Sequence, residues 1–281
     1  MADFPSAVPG TEAFFLPLAG GGRFCLFHPA VGADARRGAI VYVHPFAEEM
    51  NKSRRMAALQ SHALSAAGFA VLQIDLHGCG DSAGDFGDAS WQAWVDDVVA
   101  AAGWLRTRTG IDPALWGLRA GCLIAREAAQ RIHPVPSLLM WQPAVSGTQH
   151  LQQFLRLKVA QQFGADAQQR IGTKELRAEL DAGRTVEVAG YALAPALAQG
   201  LAGAELAPLT STTRVAWIEV AGSAPADLSP GGRLRMQAWA AAGHEMAEHA
   251  VVGLPFWQTQ EIAECVALID TTCAAVRQWH P

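Results

Sequence analysis

The chain is short of charge, of tyrosine and of paired cysteine. Charged residues make up 17% of its 281 positions, only two are tyrosine, and the five cysteines are an odd number. Cys25, Cys79, Cys122, Cys265 and Cys273 are scattered through apolar segments without CxxC spacing. That spacing excludes a disulfide framework and a zinc site as first readings. A basic excess is also missing: the formal net charge is -5, whereas phosphate contacts need clustered Lys and Arg, so no nucleic-acid partner is expected. No run of about 18 apolar residues occurs, and the opening MADFPSAVPG has no basic segment leading into an apolar one. Neither a membrane span nor a signal peptide is therefore expected, and the expected setting is the cytoplasm. What the chain does have is 51% hydrophobic residues, far too many for a disordered chain. Its length, at roughly 150 residues per domain, suits one large domain with an insertion.

Short β-branched and aromatic runs alternate with helical spacing, the order that gives a parallel sheet covered on both faces. Residues 13–19 and 23–28 flank Gly20, Gly21 and Gly22 and predict a hairpin. Strands are predicted at 39–44, 70–76, 114–118, 137–141, 215–220 and 247–252, and helices at 53–67, 91–106, 121–131, 232–242 and 261–279. Ser53 is the candidate N-cap of the first helix. Between about residues 147 and 210 the pattern turns helical, with an apolar stripe of Phe154, Leu155, Leu157, Val159 and Phe163. The expected organisation is a core of residues 1–146 and 211–281 with a helical cap at 147–210.

Two motifs point to chemistry. Gly117-Leu118-Arg119-Ala120-Gly121 has the small-residue frame of a nucleophile elbow, placed between a strand and a helix where such a turn belongs. His44-Pro45-Phe46-Ala47 follows a buried strand, where the same architecture places a backbone donor of an oxyanion hole. Phe46 and Ala120 are the two expected donors. The elbow's central position holds Arg119, which has no attacking group and stays protonated. A standard serine hydrolase is excluded at that position.

The remaining triad members are sought in chain order. The loop after the strand ending at Val220 offers Asp227 as the acid, and the loop after the next strand, Gly253 to Trp257, contains no histidine. Phe256 and Trp257 stand where the base should be, and His244 is a base only if the strand assignment slips. Glu48 and Glu49 sit on the catalytic-face loop, where one of them is a candidate partner for Arg119, since an unpaired buried guanidinium is costly. His44, Glu48 and Asp227 are candidates for activating water. A buried inert thiol is expected at Cys122, and turn roles are expected for Asp81 and Ser82. No metal-ligand cluster and no cofactor motif is present.

The runs HPFAEEMNKSRRM (44–56), QIDLHGCGDSAGDFGD (73–88), WGLRAG (116–121), WQPAVSGTQHLQQFLRLK (141–158) and EVAGYAL (187–193) resemble the α/β-hydrolase-fold family called exosortase A system-associated hydrolase 2. The resemblance extends over nearly the whole chain. It implies an α/β-hydrolase fold with a mostly parallel sheet of about eight strands, helices on both faces and a helical cap. It further implies a setting beside exosortase, PEP-CTERM sorting and exopolysaccharide genes, and an arginine at the elbow as a family feature.

Two functions of different class follow. One is a hydrolase of an ester, thioester or acyl-glycan that works by a nonstandard site, with Arg119, His44 and Asp227 in catalytic roles and Phe46, Glu48, Glu49, Ala120 and Trp257 on the substrate. The other is a catalytically lapsed protein that holds a small molecule with an anionic group, or a partner, in the same pocket. The sequence favours the second, because two of three triad positions lack competent chemistry. Fold alone establishes neither.

Overall fold

The computed structural model describes residues 10–32, 36–161 and 171–279. The predicted hairpin forms from β1 (Glu12–Leu18) and β2 (Gly21–His28), paired antiparallel. It joins the sheet through β2 and β4 (Phe69–Ile74). From there the strands are parallel: β3 (Gly38–Val43), β5 (Ala114–Leu118), β6 (Leu138–Trp141), β9 (Arg214–Ala221) and β10 (Glu245–Val252). The eight-stranded order is β1-β2-β4-β3-β5-β6-β9-β10. This is the α/β-hydrolase arrangement expected above.

The central strands are buried on both faces, so their sequences are continuous apolar runs and successive side chains serve different cores. In β3, Val41 and Val43 join one core, shared with α2 (Trp91–Thr109) and α3 (Gly121–Ala129). Ile40 and Tyr42 point the other way, into a core shared with α1 (Glu48–Ala66) and α8 (Val266–Arg277). A buried ion pair anchors the hairpin: Arg23 Nε lies 2.8 Å from Asp97 of α2. Its terminal nitrogens donate to the carbonyls of Ala19 and Gly21. Such satisfaction is what makes a buried guanidinium tolerable.

Two helices begin five residues from their predicted starts. Helix α1 opens at Glu48 rather than after Ser53, which lies inside it and is fully buried. The turn into it is made by Ala47 at φ 49°, and Glu48 and Glu49 place two carboxylates in the first turn, where the helix dipole favours negative charge. Helix α8 starts at Val266, five residues after the predicted Glu261. Between β6 and β9 the chain leaves the sheet and forms α4 (Gly147–Gln161), α5 (Thr173–Asp181), the hairpin β7 (Val186–Val188) and β8 (Tyr191–Leu193), and α6 (Pro195–Gly203). Phe154 and Leu155 of the predicted stripe are buried, whereas Phe163 lies outside the described residues. The remaining helix, α7 (Pro230–Ala241), links β9 to β10. Among the described residues, no helix is long and apolar enough to cross a membrane.

Candidate functional site

The elbow is built by close approach of backbone to backbone. A Cβ added at Gly117 would lie 2.6 Å from the Cys122 backbone, and one at Gly121 would lie 2.4 Å from the Val43 carbonyl oxygen. No larger residue fits either position. Between these glycines Arg119 takes φ 56°, a left-handed conformation that costs a non-glycine residue energy and marks a constrained turn. Its N–H donates to the Trp141 carbonyl, and its carbonyl accepts from Ala144. The peptide frame of a nucleophile elbow is thus complete, with an arginine at its apex.

The guanidinium is almost covered, at 13% side-chain exposure, and its Nε lies 3.2 Å from Glu49 Oε1. Trp257 stacks near it, with the guanidinium carbon 5.7 Å from the ring centroid. Glu49 is likewise buried, and loss of water pushes its carboxyl up to about 7 even though Arg119 pulls the other way. The position expected for the catalytic base is therefore filled by an aromatic ring that faces an arginine, not a serine.

The other expected residues separate by what they touch. His44 is buried with both ring nitrogens used: Nδ1 donates to the Pro45 carbonyl at 2.8 Å, and Nε2 accepts from the Leu76 N–H at 3.2 Å. Burial also holds its pKa below the ordinary histidine range. A general base needs a free nitrogen, and His44 has none. Asp227 is held by its own loop, where Oδ1 accepts from the Leu228 N–H and pairs with Arg233. With a side chain 69% exposed, it does not join the elbow cluster. His244 is wedged between the Thr213 N–H and the Leu209 carbonyl. Ser82 spends its hydroxyl on the Asp75 carbonyl and the Phe24 N–H, and Cys122 is buried, with its thiol pKa raised by desolvation. Phe46 and Ala120 are both buried, and their backbone N–H groups meet no acceptor among the described residues. These are the two donors an oxyanion hole would use.

Two cavities adjoin the start of α1. The smaller, about 270 Å³, has Glu48, Glu49 and Lys52 along one side and Phe46 beside them. Across from them α4 contributes His150, Gln153, Phe154 and Leu157, and Gln258 completes the rim. Arg119 is not part of this lining; Glu49 is. Of the two arrangements the sequence leaves open for Arg119, exposure to an anion or pairing with Glu48 or Glu49, the pair with Glu49 forms, and the pocket presents carboxylates. The larger cavity, about 550 Å³, is lined by the next face of α1 (Met50, Asn51, Arg54), the glycine-rich turn at Gly78 to Asp81, Phe86 and Tyr191.

Sequence reasoning placed Glu48, Glu49 and Phe46 on this face but missed His150, Gln153 and Gln258 as cavity residues. The signal was available: His150, Gln153, Phe154 and Leu157 fall at i, i+3, i+4 and i+7 of a helix, which puts them on one face. Among the described residues no group of three or more His, Cys, Asp or Glu side chains is set to hold a metal ion.

Residues 34–195, more than half of the chain, match the family described as serine aminopeptidase, S33. The chain belongs to that family. Human Protein ABHD12B is 32% identical to it over 127 residues, which is 43% of this chain and 33% of that protein. The S33-family chain thus spans about a third of the length of this relative. Its fold is that of a soluble variant of monoglyceride lipase from Saccharomyces cerevisiae in complex with a substrate analog (TM-score 0.65, 15% identity, 99% of this chain and 98% of that one). Est1E from Butyrivibrio proteoclasticus, bound to ferulic acid, is also similar (TM-score 0.64, 12% identity, 95% and 97%). So is XC6422 from Xanthomonas campestris, an α/β serine hydrolase without a lid (TM-score 0.60, 15% identity, 99% and 97%). At these identities the likeness is one of fold.

Proposed function

We propose that this S33-family chain is a catalytically lapsed α/β-hydrolase-fold protein that binds a small molecule in the cavity between α1 and α4. The observation that carries this reading is the elbow itself. Arg119 stands at the nucleophile's position with its Nε on Glu49, and Trp257 occupies the base's region beside it. Neither Arg119 nor Trp257 carries a group that can attack a carbonyl carbon, and the Glu49 carboxylate is engaged by the guanidinium. The resemblance to exosortase-associated proteins supports a role beside exopolysaccharide or protein-sorting machinery, and we place that role in the cytoplasm. The test is turnover: the purified chain should hydrolyse 4-nitrophenyl acetate and butyrate no faster than its own heat-denatured sample. Saturable turnover above that control would overturn the reading.

One observation favours a second function, hydrolysis of an ester, thioester or acyl-glycan by a nonstandard site. The backbone N–H groups of the buried Phe46 and Ala120 meet no acceptor among the described residues, and Glu49, its carboxyl raised to about 7, lines the adjoining cavity. A carboxylate of that pKa suits a general base acting on water at neutral pH. This function requires turnover that Glu49→Gln abolishes. A carboxylate or phosphate ligand, in contrast, would reach Arg119 only by displacing Glu49.

A further inference from the structure

Three buried side-chain atoms of residues that line the 270 Å³ cavity have no hydrogen-bond partner among the described residues: Glu48 Oε2, Glu49 Oε2 and His150 Nδ1. Glu49 and His150 are each only 6% exposed. Leaving a buried polar atom unpaired is costly, so three on the lining of one small space favour an occupant toward which these side chains can turn and hydrogen-bond. The larger cavity has no such atom among its lining residues.

We infer that the small cavity binds an uncharged polyhydroxylated ring of monosaccharide size, an inference that deepens the binding function proposed above. Charge is the first argument. Lys52 from the same helix and Arg119 from the elbow face Glu48 and Glu49, so the two carboxyls, both raised by burial, are already matched by two cations. From α4, His150 is held uncharged, its pKa lowered to about 3 by burial and then by Arg119. An added ammonium or carboxylate would unbalance this set in a place where unpaired charge is costly. A neutral ligand leaves it intact.

Hydrogen-bonding type is the second argument. Ionised carboxylates only accept, and the free imidazole nitrogen either donates or accepts according to its tautomer. Hydroxyl groups do both, so a ring bearing several of them can donate to Glu48 and Glu49 and adapt to His150. Gln153 and Gln258 sit at the exposed rim, their amide groups free of side-chain hydrogen bonds among the described residues. Shape is the third argument. Phe46 and Phe154, ring centroids 5.1 Å apart, give the cavity an apolar wall for the C–H face of such a ring. At about 270 Å³ the space lies just below the roughly 300–1,000 Å³ of drug-sized pockets, which suits one ring and not a chain of them.

The test uses six-membered rings that differ in their polar groups. Saturation-transfer NMR on the full chain would compare myo-inositol and methyl α-glucoside with cyclohexylamine and cyclohexanecarboxylate. Saturable binding is expected for at least one of the two polyols, with the amine and the carboxylate weaker. Glu48→Leu and His150→Leu, each checked for folding by circular dichroism, should weaken polyol binding by about tenfold or more. If His150→Leu fails to fold, Glu48→Leu carries the test alone. No saturable polyol binding up to tens of millimolar, tighter binding of the amine or the carboxylate, or unchanged polyol affinity in the folded variants would each overturn the inference. The outcomes are separable from those of the parent proposal, because ester turnover would sink the lapsed-triad function whatever binds here, and loss of polyol binding would leave that function standing.

Discussion

The two cavities beside the start of α1 differ in the reverse order of their size. The larger one is internally satisfied: Arg54 reaches Asp75 with both terminal nitrogens, at 3.4 and 3.1 Å, and Asp75 also accepts from the Asp81 N–H. The smaller one leaves two carboxylate oxygens and an imidazole nitrogen unpaired. A satisfied polar network rigidifies a fold, whereas a half-satisfied one is worse than an apolar core unless something fills it. Polar groups at the larger cavity should therefore stabilise the protein. Those at the smaller cavity should cost it stability until a ligand arrives.

The largest effect expected from this contrast is at the elbow pair that borders the small cavity. Arg119→Ala removes the cation beside a buried Glu49 and should destabilise the chain by about 2 kcal/mol at pH 8. The loss should shrink at pH 5, where the carboxyl is protonated in the folded state. Urea unfolding at the two pH values measures it, and an equal loss at both would break the assignment of Glu49 as the counter-charge. Next is Arg54→Ala, which strands the buried Asp75. The Arg54 side of the pair is 43% exposed and screened by solvent, so the expected cost is about 1–2 kcal/mol, read as a fall in the urea midpoint.

Glu49→Gln sharpens the comparison through pH. The Glu49 carboxyl is raised in the folded chain from 4.5 to about 7, so the fold binds a proton more tightly than the unfolded chain does. Its contribution to stability is fully present below about pH 4.5 and is lost as pH rises through 7, a fall of a few kcal/mol at most. In Glu49→Gln that part of the decline should disappear from the stability-versus-pH profile. The smallest effect is expected for His150→Leu and Glu48→Leu without ligand, each between no change and a gain of about 1 kcal/mol, because each removes an unpaired buried atom. A loss above about 2 kcal/mol, larger than the typical cost of about 1 kcal/mol for a substitution, would mean that the small cavity is as satisfied as the large one.

Much of the fold was legible because its strands are buried on both faces. Runs such as Ile40 to Val43 and Leu138 to Trp141 are continuous and apolar, and the elbow's glycines announce themselves by spacing. The start of α1 was not legible. Ser53 looks like an N-cap, and nothing in Ala47 itself signals the positive φ that begins the helix at Glu48. The site was legible on its sheet side only: the sequence put Arg119 next to Glu48 or Glu49 and aromatics in the base's place. Whether Arg119 or its partner faces the pocket was not legible, because which of the two faces outward depends on side-chain packing and not on spacing. Asp227 kept the right place in chain order, but Arg233, six residues on, ties it within its own loop. On the cap side His150 was hidden in a stripe that reads as lid packing, since the pattern marking a buried helix face is the same whether that face meets a core or a cavity.

A lapsed elbow carries no activated nucleophile. Intact-mass spectrometry of the purified chain after exposure to a fluorophosphonate probe measures this most directly, with a known serine hydrolase as positive control. Full labelling of the control and an unmodified mass for this chain are expected. Stoichiometric, heat-sensitive addition of one phosphonyl group to this chain would contradict the account.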